Sequence, residues 1–167
     1  MSGGDDYGWE NIKGVLLLSD KDEDTTTALD EINASLARGT DLPKPTKERA
    51  LEKVRGFPPL VVLLVPHSEE KGSLETLCLT AAYSKWPNVK GPLDNLATEM
   101  GVDDWSANKT AKMRVQTIIA STCRSRPDAG FKGHWDQAEE FHLPVGDAAF
   151  NDLANFLSGF RALIEGS

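Results

Sequence analysis

Two aspartates one residue apart, Asp20 and Asp22, close the segment VLLLSDKDED at residues 15–24, with Glu23 and Asp24 directly behind them. Carboxylates this close repel one another, and a hard divalent cation such as magnesium or manganese relieves the repulsion through oxygen ligands. A third acid, Glu75, falls in GSLETL at residues 72–77, and a basic run supplies Lys109, Lys112, Arg114, Arg124 and Arg126. Acids that hold a cation, beside lysines or arginines that meet a phosphate, are the parts of metal-assisted phosphoryl chemistry. Each also has a plainer role. The D-x-D can be a solvated turn before a helix, Glu75 an acid favoured by a helix dipole, and the basic run a solvated helix face.

The elements needed to position these residues are an apolar strand before the aspartates and helices around it. Val15, Leu16, Leu17 and Leu18 form a continuous apolar run, and Leu60–Val65 (LVVLLV) forms another. Neither alternates apolar with polar, so both are expected as strands buried on both faces of a parallel sheet. If the extended form persists past Ser19, Asp20 and Asp22 point the same way. They then lie at the carboxyl end of a strand, where open α/β sheets bind ligands.

Between the runs, Thr25, Thr26 and Thr27 offer cap hydroxyls to a helix with Leu29, Ile32 and Leu36 on one side and Gly39 as its stop. A connector with Pro43 and Pro45 leads to a second short helix at 47–55, ended by Gly56. The whole reads as a βαβ unit with a right-handed crossover. Beyond Pro66, a loop at 67–72 precedes a helix capped by Ser73, with Leu74, Leu77, Cys78 and Ala81 inward. Glu75 lies in its first turn, on the rim expected for Asp20 and Asp22. A less regular stretch, a short helix at 93–100, and a helix capped by Ser106 with Val115, Ile118 and Ile119 inward come next. Residues 130–135 read as a loop. Asp147 caps a last helix whose stripe is Phe150, Leu153, Phe156, Leu157, Phe160 and Leu163.

The 167 residues suffice for one domain with a real core, residues 1–12 forming a flexible lead-in. The net charge of −8 makes the chain a poor non-specific binder of polyanions, so a nucleic acid needs a local basic groove or bridging cations. Lys109, Lys112 and Arg114 are the best such groove. Cys78 and Cys123 lack zinc-site spacing and are expected as buried thiols in a reducing compartment. His67, His134 and His142 have no ligand spacing. No signal peptide or membrane-length apolar run is visible, which gives the cytoplasm as the expected compartment.

The D-x-D strand, the second strand ending in Pro66, GSLETL and the lysine-bearing helix occur in an order that resembles Toprim-related proteins, the topoisomerase–primase fold. They are similar to nucleases of the overcoming-lysogeny-defect type. The resemblance implies a small, mainly parallel α/β sheet with helices on both faces, and magnesium- or manganese-dependent phosphodiester chemistry. It implies Asp20 and Asp22 as metal ligands, Asp24 as an auxiliary acid, Glu75 as a further ligand, and Lys112 or Lys109 on the phosphate. Such domains open on a strand ending in a catalytic glutamate. Asp5, Asp6 and Glu10 follow no recognisable strand, so a truncated form or one without that acid is the expectation.

Two other readings stand beside it. A haloacid-dehalogenase-type phosphatase would use Asp20 as nucleophile and Asp22 as acid/base, with Gly146, Asp147 and Asp152 resembling its late acidic motif. A non-catalytic module would bind an ion or partner without turnover. Oligomeric state and substrate are not legible.

Overall fold

Two parallel strands lie at the centre of the computed structural model, which describes residues 11–22, 24–39, 42–66, 71–102, 104–123, 127–128 and 143–165. The expectations for the lead-in over 1–10 with its Asp5, Asp6 and Glu10, for Glu23, for the loop at 130–135, and for Arg124, Arg126, His67, His134 and His142 fall outside these residues. Strand β1 (Val15–Asp20) pairs with β2 (Leu60–Val65) from Val15 opposite Leu60 to Asp20 opposite Val65. The expected parallel neighbours are therefore present.

Their burial differs from expectation. Every residue of β2 is buried, whereas β1 is half-exposed and Leu18 is 52% exposed. The reason lies in the edges of the sheet. A segment at 49–52 runs along the far side of β2: Arg49 N–H donates to Val62 O (2.7 Å), and Glu52 exchanges both backbone bonds with Leu60 (2.8 and 3.0 Å). So β2 is flanked on both sides, while among the described residues β1 pairs only with β2. The same contacts overturn the helix expected at 47–55. Residues 47–49 make a turn, Arg49 takes a left-handed φ of 60°, and the chain then extends.

Helix α1 (Thr25–Gly39) covers one face of the sheet, with Ala28 and Leu29 packed on Leu60, Val62 and Leu64. Strand alternation sends Val61, Leu63 and Val65 to the other face. There Val65 joins a core with α2 (Leu74–Lys85) and α4 (Ala107–Thr122) that holds Leu77, Cys78, Ala81, Val115, Ile118 and Ile119. The inward residues expected for these two helices are the ones buried, except that Leu74 is only partly so. Both cysteines are buried thiols.

Helix α3 (Lys90–Glu99) begins three residues earlier than expected, because a 3-10 turn at Pro87–Val89 feeds it directly and Pro92 fits its first turn. Asp147 accepts from Ala149 N–H (3.0 Å) and caps a second 3-10 turn, Ala148–Phe150, which leads into α5 (Asn151–Glu165). Phe150 is buried, but no residue of α5 is, and Leu157 and Leu163 are exposed. The stripe expected to be core is only half-covered. No described helix is long and apolar enough to cross a membrane.

Candidate metal centre

The carboxyl end of the strand pair is built by three turns of chain. Strand β1 stops at Asp20, and Lys21 N–H donates to Val65 O (2.8 Å), extending the ladder by one residue. Asp22 then takes a left-handed φ of 52° and exchanges two backbone bonds with Gly72 (2.7 and 2.9 Å). The extended alternation expected to align Asp20 and Asp22 is thus broken at Asp22. Asparagine and aspartate tolerate this backbone region best among residues with a side chain. Gly72 has φ +136°, and a Cβ there would collide with the Thr76 hydroxyl, so glycine is required.

Asp20 faces the start of α2. Its Oδ1 accepts from Leu74 N–H, the first amide of that helix, at 3.0 Å. Burial pushes its carboxyl above the usual range; the Leu74 bond opposes this, Glu75 raises it, the Lys112 ammonium lowers it, and Asp22 raises it. Asp20, Asp22, Glu75 and Lys112, drawn from three separate elements, therefore share one electrostatic neighbourhood.

Asp24 does not join it. Its Oδ1 accepts from Thr27 N–H (2.8 Å) and its Oδ2 from the Thr27 hydroxyl (2.9 Å), which makes it the N-cap of α1. The threonine hydroxyls expected to cap that helix yield to this carboxylate, because it accepts both donors at once. The Thr27 backbone bond is the main cause that holds the Asp24 carboxyl below its ordinary range.

The expected basic groove also divides. Lys112 acts on Asp20, whereas Arg114 lies about 200° around α4 from it and is paired with Asp94 of α3 (2.7 Å). Lys109 is exposed and contributes its backbone N–H to the Ser106 hydroxyl (3.4 Å) as part of the helix cap. One cation of the three faces the acids.

Sequence reasoning missed Asn108. Its Nδ2 donates to Asp22 Oδ1, from the second position of α4 and one helical turn before Lys112. No spacing rule points to an amide 86 residues away; the only signal was its place in the first turn of the lysine-bearing helix. Ser73 is the second unforeseen feature. It lies between the residue bridged to Asp22 and the residue bonded to Asp20, is fully buried, and its hydroxyl has no hydrogen-bond partner of good geometry. Thr76 Oγ1 accepts from the Ser73 N–H at 3.1 Å.

The donors fit a hard divalent cation in kind: all are oxygens and three are carboxylates, while the buried Ser73 hydroxyl belongs to the capping box of α2. Among the described residues no three His, Cys, Asp or Glu side chains are grouped closely enough to hold a metal ion as they stand. The residues of the phosphatase alternative have other engagements. Asp147 caps a turn and Asp152 is ion-paired with Arg49.

Comparison with protein-family models, curated proteins and solved structures found no match for this chain.

Proposed function

We propose that the carboxyl end of the β1–β2 pair binds magnesium or manganese through Asp20, Asp22 and Glu75 and acts on nucleic-acid phosphodiesters. The observation that carries this reading is the place of Asp20 at the end of β1, its Oδ1 fixed by Leu74 N–H, with Glu75, Lys112 and Asp22 near enough to act on it. Asp20 is a half-buried carboxylate raised by Glu75 and Asp22 and lowered by Lys112, with Lys21 buried between the two aspartates in the chain; acids held this close would be stabilised further by a divalent cation. The resemblance to Toprim-related proteins points to the same chemistry. Bound there, the ion would neutralise phosphate charge and make a water or hydroxyl a better nucleophile.

The chain's own residues divide the remaining work. Leu74 N–H holds Asp20 against α2, so its free oxygen is the one available to the cation. Lys112, exposed on α4 and drawn to Asp20, is the group to meet a phosphate oxygen. Asp24 stays on its helix and takes no part.

The test is thermal unfolding with added cation. An ion bound only by the folded state at ten times its Kd stabilises by about 1.4 kcal/mol, about 3–6 °C for a domain of this size. Millimolar magnesium or manganese should raise Tm by that much, and Asp20→Asn with Asp22→Asn should remove the rise. Absence of any rise in the wild type would reject the metal site and leave a module that works without an ion.

A further inference from the structure

Among the described residues nothing pairs with the outer edge of β1. Val15 N–H donates to Pro59 O and Lys21 N–H to Val65 O (2.8 Å each), so the odd-numbered residues serve the parallel ladder with β2. The N–H and C=O groups of Leu16 and Leu18 therefore point the other way, to the free edge. Apolar side chains are uncovered along it. Leu18 is 52% exposed, and a groove of about 580 Å³ lies between the strand and α1, lined by Leu16, Leu17, Leu18, Ile32 and Leu36. On the opposite face α5 ends against β1, with Ile164 beside Gly14, and its neighbour Leu163 is exposed. Folded proteins blunt an edge strand with a charge, a proline or a bulge, and residues 15–19 hold none of these.

We propose that this edge pairs with the same edge of a second copy of the chain, antiparallel about a twofold axis at Leu17. The register follows from the free groups. In an antiparallel pair, residues whose polar groups face each other exchange both backbone bonds. With the axis at Leu17, Leu16 exchanges two with Leu18 of the partner subunit, and Leu18 two with the partner's Leu16. Leu17 then faces the partner's Leu17 in the close, non-hydrogen-bonded position. Every side chain directly apposed at the middle of the edge is leucine. Charge selects this arrangement over the alternatives. A parallel pairing in register would put Asp20 beside the partner's Asp20, and like charges apposed on neighbouring strands are destabilising. An axis at Leu18 would set Leu16 against the partner's Asp20, an apolar side chain against a charge. The twofold at Leu17 sends the two Asp20 carboxylates to opposite ends of the joined sheet, about 20 Å apart along the strands. Because the edge complements itself, a twofold closes it with no third component. The pairing does not depend on the metal reading.

Sedimentation of the full chain reads the assembly directly. The wild type should sediment as a dimer at high-micromolar concentration and dissociate on dilution, with a Tm that rises with concentration. Leu18→Lys puts an ammonium group into the interface twice. Leu18 is already half in water, so the monomer should fold while the dimer Kd rises at least about tenfold. Without any variant, hydrogen exchange at the Leu16 and Leu18 amides should slow as concentration rises. Under mild oxidation Leu17→Cys should give a disulfide-linked dimer, since its two Cβ atoms would lie about 4.5–5.5 Å apart. The wild type, whose thiols are buried, should give none. A wild type that stays monomeric at high-micromolar concentration overturns the proposal. So does a dimer that survives Leu18→Lys unchanged, or one that leaves the Leu16 and Leu18 amides exchanging as in the monomer, because another surface then joins the copies. A dimer that crosslinks through Leu18→Cys but not through Leu17→Cys overturns the twofold at Leu17.

Discussion

Asp20 carries a conflict that has a measurable sign. Burial, first, and then Glu75 and Asp22 raise its carboxyl above the ordinary aspartate value, against the Leu74 bond and Lys112. Folded protein therefore holds the Asp20 proton more tightly than unfolded chain does. The stability this brings is fully present below the unfolded pKa and is lost as pH rises through the folded one. At neutral pH the ionised group is a net cost. Asp20→Asn keeps a carbonyl for Leu74 N–H and removes the charge, so without metal it should raise Tm at pH 7 by about 1–2 °C, the partial exposure of the site screening the repulsion. The gain should fade as the pH falls through the raised folded pKa of Asp20, where the wild-type acid takes up its own proton. A lower Tm for the variant at pH 7 would mean that Lys112 and the Leu74 bond outweigh the burial. Asp24 has the opposite sign. Thr27, through its backbone N–H and then its hydroxyl, lowers its pKa, so its stabilising effect is present above 3.8 and lost as pH falls through the folded value. Its replacement by Ala should weaken α1 without touching any magnesium response, which separates a cap from a ligand.

Helix α5 depends on a residue outside it. None of its residues is fully buried: Leu153 packs on the core, and Arg49 pairs with Asp152 and lies over the Phe156 ring, 5.1 Å from its centroid. Arg49 can do this because its own backbone is bonded to Val62 on the edge of β2. Arg49→Ala should raise amide hydrogen exchange across 151–165 by at least about fivefold, a loss near 1 kcal/mol, while β2 keeps its protection. Equal acceleration of both elements would show that α5 opens only with the whole fold. The segment around Arg49 also shows where the sequence stops being readable. Residues 47–55 contain Lys47, Glu48, Arg49, Leu51 and Glu52, all fair helix formers, and their local preference says helix. Three backbone bonds to β2, formed with residues about ten positions further on, outweigh it. Helices α2 and α4 were legible because their apolar spacing records the face they bury. The exposure of β1 was not, since a run apolar on both faces does not say which of its edges is paired. Asp20 and Glu75 could be placed at a strand end and a helix start from the sequence, whereas the left-handed turn at Asp22 and its contact with Asn108 could not, because both are chosen by the packing around Gly72 and α4.

The charge of the whole molecule limits how it can hold a polyanion. The chain carries −8, Arg114 is engaged with Asp94, and of Lys109, Lys112 and Arg114 only Lys112 acts on the acids. A nucleic acid approaching the strand ends would meet Asp20, Asp22 and Glu75 before it met a compensating positive surface. Binding is then expected to need the cation, and to release few counterions, because few phosphates are neutralised by side chains. For single strands the logarithm of affinity falls with the logarithm of salt with a slope of about −0.7 per phosphate contacted. With Lys112 and one bound ion as the contacts, the slope should lie near −1 to −1.5, well short of that for an extended basic groove. Fluorescence anisotropy with a labelled single-stranded oligonucleotide checks both parts. No binding is expected in a chelator at micromolar protein, binding should emerge with millimolar manganese, and Lys112→Gln should weaken it. Asp20→Asn with Asp22→Asn should abolish the manganese-dependent part. Tight binding in chelator with a steep salt slope would place the nucleic acid on another surface and separate it from the aspartates altogether.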